Sequence, residues 1–241
     1  SDPSIVSLNV VATNDSPVLD LNAANTNTVD NSVVFRENVD TRVPTTVAGN
    51  TNLVDVDSTI ISRCQISLTN PLDGLAFESL ILDTTVFDPS SVGITVQFNG
   101  ANNIVLTGNA SPANYVSSLN AIFYSNTDEN PDASQNRQIS FQCSDDGGAN
   151  SDVAVTTVQI VPFNDPPVLD FNIDASPSTV EILTSATFVE KSGPTQIVPP
   201  TFSITDPDST SMRSCSIELK NPLDRFNESL AVNVGTTGIQ S

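Results

Sequence analysis

The chain has 241 residues, 28 acidic and 8 basic, for a net charge of −20, and contains neither histidine nor tryptophan. Nucleic-acid binding and attraction to anionic membranes both need basic patches, so this balance argues against them. The lack of histidine excludes Ser-His-Asp and Cys-His nucleophiles and His-based zinc sites, and no apolar run is long enough to insert in a bilayer.

Hydrophobic residues make up 38% of the chain, enough for a packed core, and lysine and arginine are scarce. Abundant Thr, Ser, Val, Asn and Asp suit an all-β chain with many turns. The chain starts without methionine or a charged-then-apolar leader, so a mature segment or a piece of a longer protein is expected. Self-similarity organises the rest. Asn70-Pro71-Leu72-Asp73 returns as Asn221-Pro222-Leu223-Asp224, Asp55-Val56-Asp57-Ser58 as Asp206-Pro207-Asp208-Ser209, and Cys64 as Cys215. Glu78-Ser79-Leu80 returns as Glu228-Ser229-Leu230, and Asn14-Asp15-Ser16-Pro17-Val18-Leu19-Asp20 as Asn164-Asp165-Pro166-Pro167-Val168-Leu169-Asp170. The period of about 150 residues is that of a domain. Residues 1–13 match 151–163 and read as the last strand of a preceding unit, 14–163 as a complete unit, and 164–241 as the first half of the next.

Within the complete unit, Val33-Val34-Phe35 reads as a first strand. Arg63 to Leu68 alternates, with Cys64, Ile66 and Leu68 on one face, and stops at the turn-forming Asn70 to Gly74. Asp73, Gly74 and Glu78 read as an acidic loop. Ile94–Phe98 and Ile104–Leu106 flank Asn99-Gly100, a predicted hairpin. Ser111-Pro112 predicts a helix to Leu119, with Ser as N-cap and Pro at its first position. Ala121–Tyr124 reads as a strand. Gln138–Cys143 alternates with Ile139, Phe141 and Cys143 inward. In Val153–Val161 the parity changes near Thr156-Thr157, which predicts a bulge. About seven strands separated by turns suggest a sandwich.

Cys64 and Cys143 face the apolar side of their strands. They can be two buried thiols or an inter-sheet disulfide. The recurrence of Cys64 as Cys215 favours the disulfide, which would close a loop of about 80 residues and add roughly 4 kcal/mol. Cys215 then awaits a partner in the missing second half of its unit, and an extracellular setting follows. Three Asn-x-Ser triplets occur. Asn227 is the favoured glycosylation acceptor, with Asn109 second, because Pro17 and Pro112 follow the other two.

Carboxylates occur in short words at strand ends, of which the second and the last recur: Glu37, Asp55-Val56-Asp57, Asp128-Glu129, Asp145-Asp146-Gly147 and Asn164-Asp165. These words resemble the cadherin superfamily, and most closely its large cadherin-like tandem repeats of extracellular surface proteins. Phe35-Arg36-Glu37 looks like the family's first-strand glutamate motif, Asp55-Val56-Asp57 its DxD, Cys143-Ser144-Asp145-Asp146-Gly147 its Ala-x-Asp-x-Gly, and Asn164-Asp165-Pro166-Pro167 its linker. The resemblance covers the whole chain. It implies Ig-like Greek-key β-sandwich repeats in a linear array, with Ca²⁺ between them. One junction would take Glu37, Asp128, Glu129, Asn164, Asp165, Asp206 and Asp208. The other would take Asn14, Asp15, Asp55, Asp57 and Asp145. The pattern also departs from the family: Ala12 and Pro162 stand where its linker has an acid, and Asp128 and Glu129 adjoin where it has Asp-Arg-Glu, which leaves room for fewer ions per junction.

The expected function is a non-catalytic, calcium-stiffened structural or adhesion segment at the cell surface. Its partners would be neighbouring repeats of the same chain and a homophilic or heterophilic protein assembly. A glycan- or ligand-binding module of a secreted multidomain protein is the alternative, with the Asp73–Glu78 loop as its surface. Glycoside hydrolysis by paired carboxylates is the weakest reading, because acids in strand-end words suit a metal better.

Overall fold

The structure, a computed structural model, describes residues 4, 6–46, 49–98, 100–171, 185–198, 202–224 and 227–232. Its contacts divide the chain into two units, Ser1–Asp165 and Pro166–Ser241. The fold is all-β. Among the described residues, unit 1 contains β1 (Val18–Asp20), β2 (Asn31–Arg36), β3 (Val43–Pro44), β4 (Asn52–Val54), β5 (Ile61–Leu68) and β6 (Glu78–Leu82). These are followed by β7 (Thr95–Phe98), β8 (Asn103–Ala110), helix α1 (Pro112–Leu119), β9 (Ile122–Asn126), β10 (Arg137–Asp145) and β11 (Ala154–Val161). A six-stranded sheet runs β2-β11-β10-β5-β8-β7, a three-stranded sheet runs β3-β9-β6, and β1 pairs with β4.

One core joins the sheets. Ile66, Leu106, Ile139 and Phe141 enter it from the larger sheet, and Val43, Leu80 and Tyr124 from the smaller. Phe35 of β2 and Tyr124 of β9 meet edge to face, with ring centroids 5.6 Å apart. This contact ties the two sheets beside the site described below. The helix begins where Ser-Pro places it: Ser111 accepts from the Asn114 amide at 3.3 Å, and proline opens the first turn.

Two expectations change. The cysteines do form a disulfide, but within one sheet. Cys64 and Cys143 are directly opposed on the antiparallel neighbours β5 and β10, with Cα atoms 4.0 Å apart. Alternation shows that both side chains point inward; it does not show whether their strands share a sheet. The bulge is also not at Thr156-Thr157, where β11 pairs in unbroken register with β10. Ala154, Thr156, Val158 and Ile160 all point inward, and Thr156 donates its hydroxyl to the Thr45 carbonyl. A buried, hydrogen-bonded threonine had looked like a change of parity. The register shift lies instead between Ile61 and Arg63 on β5, and it turns both Ile61 and Cys64 inward. Asn99 of the predicted hairpin loop lies outside the described residues, but β7 and β8 pair as expected.

Gly108 of β8 has φ +136, and a Cβ added there would lie 2.3 Å from the Gly93 carbonyl oxygen. Its own carbonyl accepts from the Tyr115 hydroxyl at 2.7 Å. Gly108→Ala therefore combines a backbone clash with a conformation side chains resist. We expect a loss of about 2–3 kcal/mol in urea unfolding.

Unit 2 is described by two short strands, β12 (Val168–Asp170) and β13 (Ser203–Thr205), which pair antiparallel.

Candidate metal centre

The β2–β11 pair is parallel, with Arg36 opposite Val161, so the two chains leave the sheet together. The Glu37 amide then donates to the Val161 carbonyl at 3.1 Å, and the Phe163 amide donates to Glu37 Oε2 at 2.7 Å. Asn38 turns the chain in the left-handed region, at φ 58, which asparagine tolerates. Its Nδ2 donates to Asp165 Oδ1 at 2.8 Å. Glu129 arrives from the end of β9 by two successive side-chain caps: Asn126 Oδ1 accepts the Asp128 amide at 2.9 Å, and Asp128 Oδ1 accepts the Asn130 amide at 3.0 Å.

Glu37, Glu129 and Asp165 thereby each bring a carboxylate oxygen within 4.8 Å of the others. Glu37 is buried, Asp165 half-buried and Glu129 exposed, so the group opens to solvent on one side. It borders an open cleft of about 320 Å³ lined by Asn38, Asp40, Asn126 and Asp128 among others. Oxygens bound to one Ca²⁺ at 2.3–2.6 Å lie at most about 5 Å apart, so the spacing fits that ion. The donor set is oxygen only, which suits hard cations. The Phe163 amide and the Asn38 side chain hold two of the three carboxylates in place, as outer partners do around metal ligands.

The other residues named from sequence for this junction make local hydrogen bonds. Asp128 lines the cleft but shapes its loop, and Asn164 donates to the Asp165 carbonyl at 3.0 Å. Asp206 and Asp208 belong to unit 2, where Asp206 Oδ1 accepts the Asp208 and Ser209 amides at 3.0 Å each.

At the other end of β10, Asn14, Asp15, Asp55, Asp57 and Asp145 do gather, but through hydrogen bonds. Asn14 Nδ2 donates to Asp145 Oδ2 at 2.7 Å, the Asp15 amide to Asp57 Oδ2 at 3.0 Å, and the Ala149 amide to Asp145 Oδ1 at 2.9 Å. Among the described residues these acids do not form a close three-carboxylate group. Desolvation is the largest single influence on Asp55 and pushes its pKa up. The Asp57, Ser58 and Val56 amides and the Asp57 side chain together outweigh it and hold the pKa below the ordinary aspartate value. A Cβ on Gly147 would lie 2.2 Å from Asn14 Oδ1. Gly147→Ala is expected to lift Asn14 off Asp145 at a cost of about 1 kcal/mol, the worth of a hydrogen bond to a charged group less what the free side chain regains in water. Amide chemical shifts of residues 14–16 would report the release.

Sequence reasoning missed the buried charged cluster around Arg137, at the start of β10. Arg137 is fully buried. Its Nε donates to Glu78 Oε1 at 3.1 Å, one terminal nitrogen to Asp73 Oδ2 at 2.6 Å, and the other to the Gln135 carbonyl at 3.0 Å and to the Asp132 carbonyl. Tyr124 donates to Glu78 Oε2 at 3.1 Å, and Asn126 to Asp73 Oδ2 at 2.6 Å. Burial pushes the Glu78 pKa up, and the Asp73 amide, Arg137 and the Tyr124 hydroxyl pull it back. Asp73 and Glu78 are therefore interior ion-pair partners, while Leu75, Ala76 and Phe77 between them are exposed. The signal was available: both acids recur in the second unit, as Asp224 and Glu228.

Asn109 and Asn227 are both exposed, as glycosylation would require. No family model, curated protein or solved structure matches the chain.

Proposed function

We propose that unit 1 binds Ca²⁺ through Glu37, Glu129 and Asp165, and that the ion stiffens one end of a cadherin-like Greek-key β-sandwich in an extracellular, tandem-repeat protein used for adhesion or as a filamentous scaffold. The observation that carries this reading is the convergence of three acids from positions 37, 129 and 165 on one point. They come from the end of β2, the loop after β9 and the segment after β11. Each pair of such charges at 4 Å repels by about 1 kcal/mol in water and about 4 kcal/mol at the effective dielectric of a protein surface. A divalent cation turns that repulsion into a cross-link between three chain segments. The Cys64–Cys143 disulfide supports an oxidising, extracellular setting. The role is structural, and the reading assigns no catalytic residue.

Tyr115 and Tyr124 are the only tyrosines, both lie in the unit 1 core, and tryptophan is absent. Tyrosine emission therefore follows the unfolding of unit 1 alone. Ca²⁺ at 100 times its dissociation constant is expected to add about 2.7 kcal/mol. Glu129→Gln, at an exposed position, should remove most of that gain without lowering the stability measured in chelator. Equal stability in Ca²⁺ and in chelator would refute the assignment.

A further inference from the structure

The two units share several local devices. Val18, Leu19 and Asp20 pair with Val54, Leu53 and Asn52, as Val168, Leu169 and Asp170 pair with Thr205, Ile204 and Ser203. Asp55 caps the Asp57 and Ser58 amides, as Asp206 caps those of Asp208 and Ser209. The Asp73 amide donates to Glu78 at 2.8 Å, and the Asp224 amide to Glu228 at 3.0 Å. What separates the units is burial. Ile66, Leu68 and Leu80 are 0%, 1% and 4% exposed, whereas Ile217, Leu219 and Leu230, at the matching positions, are 55%, 41% and 40% exposed. Cys64 is buried in a disulfide, while Cys215 is an exposed thiol.

The cause is non-local. In unit 1, β5 lies between β10 and β8, with Cys64 opposite Cys143 and Leu106, Ile66 opposite Phe141 and Ile104, and Leu68 opposite Ile139. Residues 212–219 of unit 2 carry the same alternation but form no strand. A strand needs neighbours for its backbone groups, and those neighbours come from distant sequence.

We infer that the Cys215–Leu219 face of unit 2 is an acceptor for one kind of partner: a polypeptide segment that repeats residues 92–163. Its central strand would alternate apolar residues toward a cysteine, as Ile139-Ser140-Phe141-Gln142-Cys143 does. That strand lies antiparallel to residues 212–219, with its cysteine opposite Cys215, its Phe opposite Ile217 and its Ile opposite Leu219. The two thiols then form a disulfide. With glutathione disulfide as oxidant, their two protons and two electrons pass to two molecules of reduced glutathione. This seam does not depend on the cation site.

The test is the full chain extended after Ser241 by a copy of residues 92–163, folded in glutathione buffer, with disulfides mapped by mass spectrometry and amide exchange measured over 212–220. The expected result is Cys215 joined to the cysteine of the appended copy, the Cys64–Cys143 bridge retained, and at least tenfold slower exchange than in the unextended chain. Ile217→Asp in the extended chain should reduce the new bridge at least tenfold, because the apolar register brings the cysteines together. Three results would overturn the inference: unchanged exchange, Cys215 left free or in Cys215–Cys215 dimers, or full bridging in Ile217→Asp.

Discussion

Arg137→Met is expected to destabilise unit 1 by about 3–5 kcal/mol, the range for removing one partner of a buried ion pair. The guanidinium is buried and donates to two carboxylates and two backbone carbonyls. Methionine fills much of the volume but leaves Asp73 and Glu78 in the interior without their counter-charge. Asp73 retains donors from Asn126 and the Asp132 amide, and Glu78 from Tyr124 and the Asp73 amide, so hydrogen bonding offsets part of the loss. Arg137→Lys should recover less than half of it, because a single ammonium cannot span both acids and the carbonyls as the planar fork does. Urea unfolding followed by tyrosine emission measures both variants. A change below about 1 kcal/mol for Arg137→Met would mean that the cluster is wet or loosely held.

Loss of the Cys64–Cys143 disulfide is the second large effect. The bridge spans 79 positions. On the chain-entropy model, closing a loop of that length is worth about 4 kcal/mol through the unfolded chain. The neighbouring ladder of β5 and β10 persists without the bond, so the folded state should keep its register while the unfolding midpoint falls. The double variant Cys64→Ala, Cys143→Ala, compared with the parent chain, measures the loss and leaves the exposed Cys215 as an internal thiol reference. A midpoint unmoved by the double change would show that the bond constrains little beyond what the sheet already holds.

What could be read from the sequence follows the range of each interaction. Alternation located β5 and β10, and Ser111-Pro112 located α1, because the signals lie within one element. The same alternation misjudged Thr156, whose inward position depends on a hydrogen bond to Thr45, 111 positions away. It also missed Arg137. A strand-end arginine reads as solvated, and only its acids, 59 and 64 positions away, make it an interior residue. β10 shows both sides of this limit: one face runs from Arg137 through Ile139, Phe141 and Cys143 to Asp145, all buried. Its apolar middle was legible, and the burial of its charged ends was not. The candidate cation site has the same character. Glu37, Glu129 and Asp165 were grouped at one junction only through a family resemblance, and the geometry of their meeting depends on the parallel pairing of β2 with β11, which no local pattern encodes.

Calorimetric titration of the chain with Ca²⁺, repeated on Glu37→Gln, tests the central claim most directly. The account predicts saturable binding by the parent chain, weakened at least tenfold in the variant, because the buried member of the carboxylate group loses its charge. No saturable heat from the parent chain up to millimolar Ca²⁺, or equal binding by both chains, would contradict it.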